Sequence, residues 1–181
     1  DMVVPSQFID RTHQRPQSFF GEGCVAHVSL ADPFCPELSA LLANAAAAKI
    51  PSGYQLHRGG TYLCMEGPAF STRAESELYR SWGCSVIGMT NHTEARLARE
   101  AEMAYASLSM VTDFDCWHSE HEAVSVEMVI GNLQANANAT EPILNELMRQ
   151  IALDRPASEA HQALAQALIT PPDQVPMETR Q

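Results

Sequence analysis

The chain is short of positive charge. Its 181 residues include 11 Lys and Arg against 22 Asp and Glu, a formal net charge of −11. A nucleic-acid surface needs clustered basic side chains, and this composition excludes a general one. Any anionic ligand must therefore be held by local donors rather than by a positive field. No apolar run approaches the roughly 20 residues of a membrane-spanning helix. The opening DMVVPSQFID lacks the basic and apolar regions of a secretory signal. Five cysteines (Cys24, Cys35, Cys64, Cys84 and Cys116) form no CxxC pair. Their odd number and scatter point to reduced thiols in a cytoplasmic protein rather than a disulfide framework. Repeats and low-complexity tracts are also missing.

What is present suits one domain with a real core: 45% hydrophobic and 18% charged residues. The reading is a single unit over 1–170, followed by a loosely held Pro-rich tail at 171–181. DMVV is a strand candidate, and CVAHVSL alternates as a second strand. CPELSALLANAAAAK predicts a helix with Pro36 in its first turn and Leu38, Leu41, Leu42 and Ala45 as its stripe. GTYLCMEG, CSVIGMT and AYASLSMVT read as further strands. Between them, STRAESELYRSWG and NHTEARLAREAEM read as helices. The first takes Ser71 or Thr72 as N-cap with a capping-box Glu75 and stops at Gly83; the second takes Asn91 or Thr93 as cap. Helical pattern covers Glu120 to Leu153 with a break near Pro142, and again Ala157 to Ile169. Alternating strands and helices from residue 60 onward define an α/β fold with a mixed, largely parallel sheet flanked by helices.

In such sheets ligands bind beyond the carboxyl ends of the strands. Three strand ends are chemically unusual. MEGPAFSTRAE sets Phe70 beside Ser71 and Thr72 at a helix start, which suits either a polar ligand under a stacking ring or a plain N-cap with a core Phe. GMTNHTEA sets Thr90, with Met89 as an apolar wall, at another helix start; it is a phosphate or sugar contact, or again a cap. TDFDCW places Asp113 and Asp115 two apart, on one side if the strand stays extended. Two such carboxylates disfavour joint ionisation, so one would donate a proton while the other accepts from an amine. The alternative is a pair of loop acids with Asp115 capping a helix. Cys116, His118 and His121 have ligand-like spacing, but one short cluster without a distant fourth ligand does not define a metal site, and none is expected.

The three motifs occur together and in one order. The run MEGPAFSTRAESELYRSWGCSVIGMTNHTEARLAREAEMAYASLSMVTDFDCW resembles the 5′-methylthioadenosine phosphorylases of the trimeric purine nucleoside phosphorylase family, as do QFIDRTHQRPQSFF and HVSLADPFCPEL. The resemblance covers about residues 1–135. It implies a nucleoside phosphorylase-like fold and phosphorolysis of 5′-methylthioadenosine to adenine and 5-methylthioribose 1-phosphate, a step of purine and methionine salvage. Phosphate is then a co-substrate, and no cofactor is implied.

The resemblance also implies residue roles. Phe70 and Met89 contact base and ribose, with Phe114 beside them, and Thr90 contacts phosphate. Asp113 binds the purine at N7 and the 6-amino edge, with Asp115 nearby, and the pair is the catalytic candidate. Ser71 and Val126 match positions that tune substrate choice. His27 matches a residue lent to a neighbouring subunit's methylthio pocket, in a trimer or a pair of trimers. Cleavage leaves negative charge on the purine, which a proton delivered to N7 relieves. Relatives acting on 6-oxopurines carry Asn at the place of Asp113, since a carboxylate repels the carbonyl oxygen; Asp113 therefore favours adenine. A broader purine nucleoside phosphorylase and a non-catalytic nucleoside-binding or assembly fragment are the alternatives.

The family also has a long segment ahead of the DMVVPSQFID strand, carrying its Gly-rich phosphate loop, an Arg-His pair and a Thr-Ala pair. HRGGTY (His57 to Tyr62) does not replace it, lying instead on the strand leading to EGP. The expectation is a C-terminal part, incomplete without the N-terminal part. Because no initiator Met precedes Asp1, that part is expected on a companion polypeptide.

Overall fold

The computed structural model describes residues 1–118 and 126–179, with the side chains of 126–129 also outside the description. At its centre are two parallel segments that bend together. β1 (Met2–Val4) and β2 (Gln7–Arg11) are interrupted at Pro5-Ser6, while β3 (Leu56–Arg58) and β4 (Thr61–Met65) are interrupted at Gly59-Gly60. Met2 pairs with Leu56 and Gln7 with Thr61, so one register runs through the bend. Gly59 donates to the Val4 carbonyl at 2.8 Å, and Ser6 to Gly60 at 3.0 Å, which carries the ladder across the break. Gly60 adopts φ 94°, open to glycine at little cost, and a Cβ there would lie 2.5 Å from Ser85 Oγ. Proline on one strand and glycine on the other thus make a corner and divide the ladder into two three-stranded sheets.

β5 (Cys84–Gly88) joins β4 in parallel, and β6 (Ser109–Met110) joins β1 antiparallel. The orders are β3-β1-β6 and β2-β4-β5, mixed and largely parallel as expected. The helices are α1 (Pro36–Lys49), α2 (Arg73–Ser81), α3 (Asn91–Glu100) and α4 (Val126–Leu153). α1 starts at Pro36 behind Cys35, whose Sγ accepts the Leu38 N–H. It packs against α4. Met2, Val4, Leu42, Ala45, Ala46, Ala139, Ile143 and Leu147 make the buried core between α1, α4 and β1. No helix among the described residues is long and apolar enough to cross a membrane.

Several expectations fail for local reasons. CVAHVSL alternates but makes only one bridge, Ala26 to Leu168, because its backbone partners are the irregular residues 167–170. The strand over AYASLSMVT shrinks to Ser109–Met110. Tyr105 and Ser107 turn their hydroxyls to Glu94 and Asn91 of α3, and the Tyr105 carbonyl receives the Cys35 N–H. The final helix is only a 3-10 turn, Glu159–Gln162, and the Glu102 carboxylate accepts the Leu164 N–H at 3.0 Å. α4 continues through Pro142; Pro142 and Asn138, whose carbonyl loses its helical donor, are both exposed, so solvent can serve it. The part of that helix expected over 120–125 lies outside the described residues. The tail folds back, with the Pro176 ring against Gly23.

Candidate nucleoside site

The parallel strands β4 and β5 deliver their carboxyl ends to one edge. Beyond β4, Glu66 accepts the His13 and Gln14 N–H groups and the Arg15 Nε, tying the loop after β2 to this edge. These donors hold its carboxyl below the usual range, the His13 amide foremost. Gly67 follows with φ 73°, and a Cβ there would lie 2.6 Å from Met89 Sδ. The absence of a side chain at Gly67 is what lets the β5 end approach the β4 end. Phe70 stands 85% exposed beside them, available as a stacking face.

α2 opens with a complete capping box. The Thr72 hydroxyl accepts the Glu75 N–H, and Glu75 accepts the Thr72 N–H at 2.7 Å. Of the two cap candidates, Thr72 serves, which leaves Ser71 free to bond elsewhere. Ser71 Oγ lies 2.9 Å from Ser76 Oγ.

At the β5 end, Thr90 is the residue before α3 and makes no capping bond. The expected caps, Asn91 and Thr93, do not serve: α3 begins at Asn91, so both lie inside the helix, and the Asn91 side chain is drawn to Ser107 at 3.0 Å. The first amides of α3 thus keep no side-chain partner from Thr90, at the end where a helix favours negative charge. Burial pushes the Tyr62 phenol up, partly offset by hydrogen bonding with Thr90, so a β4 side chain also reaches this point.

The TDFD stretch is not an extended strand. β6 stops at Met110, and Asn132 and Asn136 of α4 hold the carbonyls of Thr112 and Val111. Asp113 Oδ1 accepts the Asp115 N–H at 2.8 Å, and its other oxygen accepts the Thr112 hydroxyl at 2.8 Å. Asp115 takes φ 61°. The turn separates the tasks of the two acids, and the expected same-side pair is replaced by an Asx-type turn. Asp113 and Phe114 are exposed, while Asp115 points at α2. Asp115 Oδ2 accepts the Ser76 hydroxyl, and Oδ1 accepts the Cys116 N–H at 2.7 Å.

Phe70, Ser71, Met89, Thr90, Asp113, Phe114 and Asp115 therefore belong to three segments linked by direct contacts. Gly67 meets Met89, Ser76 meets Asp115, and Cys116 Sγ lies 3.7 Å from the Ser71 carbonyl. His27 stands apart, lining a cavity of about 360 Å³ with Gln17, Cys24, Arg96 and Glu100. Val126 opens α4, and its side chain is outside the description. Among the described residues no three His, Cys, Asp or Glu side chains gather as metal ligands; His121 is not one of them.

Two features went unread in the sequence. Ser76, only 2% exposed, is the link between α2 and Asp115; its signal was a serine in a helix interior, where it gains nothing from helix propensity. The other is His92, fully buried, with Nε2 3.2 Å from Asp10 Oδ2. Burial pushes its imidazole down, against the opposing pull of Asp10.

The class that the fold defines is an α/β domain whose parallel strands β4 and β5 carry helices at their carboxyl ends. Residues 1–149 match the model of the phosphorylase superfamily, and the chain belongs to that family. It is 64% identical over its whole length to an S-methyl-5′-thioadenosine phosphorylase of Prochlorococcus marinus, covering 58% of that protein. It is 58% identical over its whole length to one from Thermosynechococcus vestitus, covering 63%. Among solved structures, a methylthioadenosine phosphorylase from an Antarctic soil metagenomic library superposes with a TM-score of 0.93 at 51% identity, over 99% of this chain and 63% of that one. A Schistosoma mansoni methylthioadenosine phosphorylase in complex with adenine gives 0.78 at 35% identity, over 85% and 60%. The chain thus corresponds to a part of each relative.

Proposed function

We propose that this chain supplies the base- and ribose-facing part of a 5′-methylthioadenosine phosphorylase, which releases adenine by transferring the pentose to phosphate. The observation that carries the reading is the junction of three strand ends, with Gly67 against Met89 and Ser76 against Asp115. The relatives' names point the same way. In this reading Phe70 and Met89 flank the nucleoside, with Phe114 beside the base. The exposed Asp113 addresses N7 and the 6-amino group, backed by Asp115. A carboxyl group serves there because the departing purine gains negative charge that a proton at N7 neutralises. Thr90, its hydroxyl and the uncapped amides of α3, takes a phosphate oxygen. Ser71 and Val126 tune substrate choice, and His27 serves a neighbouring copy in a trimer or hexamer. Phosphate is a co-substrate, no cofactor takes part, and the setting is cytoplasmic.

With a net charge of −11, one threonine and one helix start make a poor phosphate site. The remaining ligands are assigned to the part of the relatives that this chain does not match, present on the same or a companion polypeptide. Phosphate-dependent release of adenine from methylthioadenosine, measured with and without that part, tests the proposal. Release only when both are present is expected; no release from the assembled protein contradicts it. Mass spectrometry of the active particle identifies whether one polypeptide or two carry the parts.

A further inference from the structure

We propose that Ser76 is a positioning residue for the base site: through Asp115 it fixes the loop that carries Asp113, and so sets selectivity for 6-aminopurines. The proposal rests on the base-site reading above. Ser76 is 2% exposed and has one proton to give. Its oxygen lies near three groups: Asp115 Oδ2, Ser71 Oγ at 2.9 Å and Cys116 Sγ at 3.4 Å. A carboxylate only accepts, so the Ser76 proton goes to Asp115. Ser71 is then left to donate to Ser76. The result is a directed chain, Ser71 to Ser76 to Asp115, with one available proton order as long as Asp115 is a carboxylate.

The same helix face grips the loop a second time. Arg80, one turn beyond Ser76, lies over the Trp117 ring with its guanidinium carbon 3.6 Å from the centroid. Asp115 in turn anchors Asp113, because its own N–H is donated to Asp113 Oδ1 at 2.8 Å. α2 therefore holds Asp115, and Asp115 holds Asp113. The positive φ of Asp115 costs energy in a non-glycine residue, and the bonds from Ser76 and Cys116 offset it. Without the Ser76 hydroxyl, Asp115 keeps a single donor among the described residues, and the turn that presents Asp113 loosens.

The test uses the active assembled enzyme, with methylthioadenosine and inosine as substrates. Ser76→Ala is expected to lower kcat/KM for methylthioadenosine about tenfold or more, the scale of a hydrogen bond to a charged acceptor, with less loss for inosine. Ser76→Cys, nearly isosteric with a weak donor, should fall between wild type and Ser76→Ala and guards against a folding artefact. In an Asp115→Ala background, Ser76→Ala should cause no further loss beyond about twofold, since the two residues act as one unit. An additive loss in that background would show a merely structural serine and overturn the proposal. So would an unchanged preference in Ser76→Ala. If the wild-type assembly releases no adenine, the base-site reading fails and the proposal falls with it.

Discussion

The two ends of the candidate site are built differently. On the proposed base side, Asp113 and Asp115 accept from donors of their own segment and of α2: Thr112, the amides of Asp115 and Cys116, and Ser76. On the phosphate side, Thr90 leaves the first turn of α3 uncapped and Asn91 is diverted to Ser107. A network satisfied from within is pre-organised before ligand arrives. A helix start whose cap residue makes no side-chain bond keeps amides that a ligand or another segment can take. In the proposed reading the two sides are a finished half-site for the base and an unfinished one for the anion; the chain matches 58% and 63% of two relatives.

That contrast can be broken in order of expected effect. Asp113→Ala in the assembled enzyme should lower kcat for adenine release by about 10² to 10⁴, the range for loss of a general acid. An effect within a fewfold would remove Asp113 from the chemistry. Ile143→Ala, in the core between α1, α4 and β1, should destabilise by about 2–5 kcal/mol; Ile143 is fully buried. Denaturant unfolding would read that loss, with substrate preference unaltered in the surviving folded enzyme. Thr90→Ala should raise the phosphate KM by about tenfold while leaving the choice between methylthioadenosine and inosine as it is. A change in base preference instead would erase the division into halves.

The smallest effect concerns pH. Burial holds the His92 imidazole below its ordinary 6.5. The unfolded chain therefore binds a proton that the folded chain resists, between 6.5 and the lower native value. The stability that neutral His92 contributes is fully present above pH 6.5 and declines as pH falls through that window. His92→Met should flatten the loss of melting temperature between neutral and mildly acidic pH; an unchanged slope would remove His92 as its source.

Much of this was legible in the chain. Pro36, the Thr72–Glu75 capping box and the Leu42–Ala45 stripe announce their helices because caps and periodicity act locally. The parallel strands near EGP and GMT were equally plain. CVAHVSL misled because alternation shows which face is buried, not whether a partner strand exists. Residues 157–169 misled because a distant side chain, Glu102, takes the Leu164 amide that a helix would have used. β2 was not read as a strand, because Pro5 interrupts the run from β1 and the continued pairing depends on the glycines facing it. At the site, Asp113 and Asp115 were singled out as candidates, but the same-side pair expected of an extended strand does not form: Asp115 has a positive φ and is held by bonds to α2 and Cys116. Ser76 was invisible for the same reason: its partner lies 39 residues away.

The central claim is that an adenine-reading edge, led by Asp113, lies where three strand ends meet. The most direct test is the rate of phosphate-dependent base release by the assembled enzyme from methylthioadenosine and from inosine under one set of conditions. A strong preference for methylthioadenosine, lost or reversed toward inosine in Asp113→Asn, is the predicted result. A wild-type enzyme that prefers inosine would contradict the account.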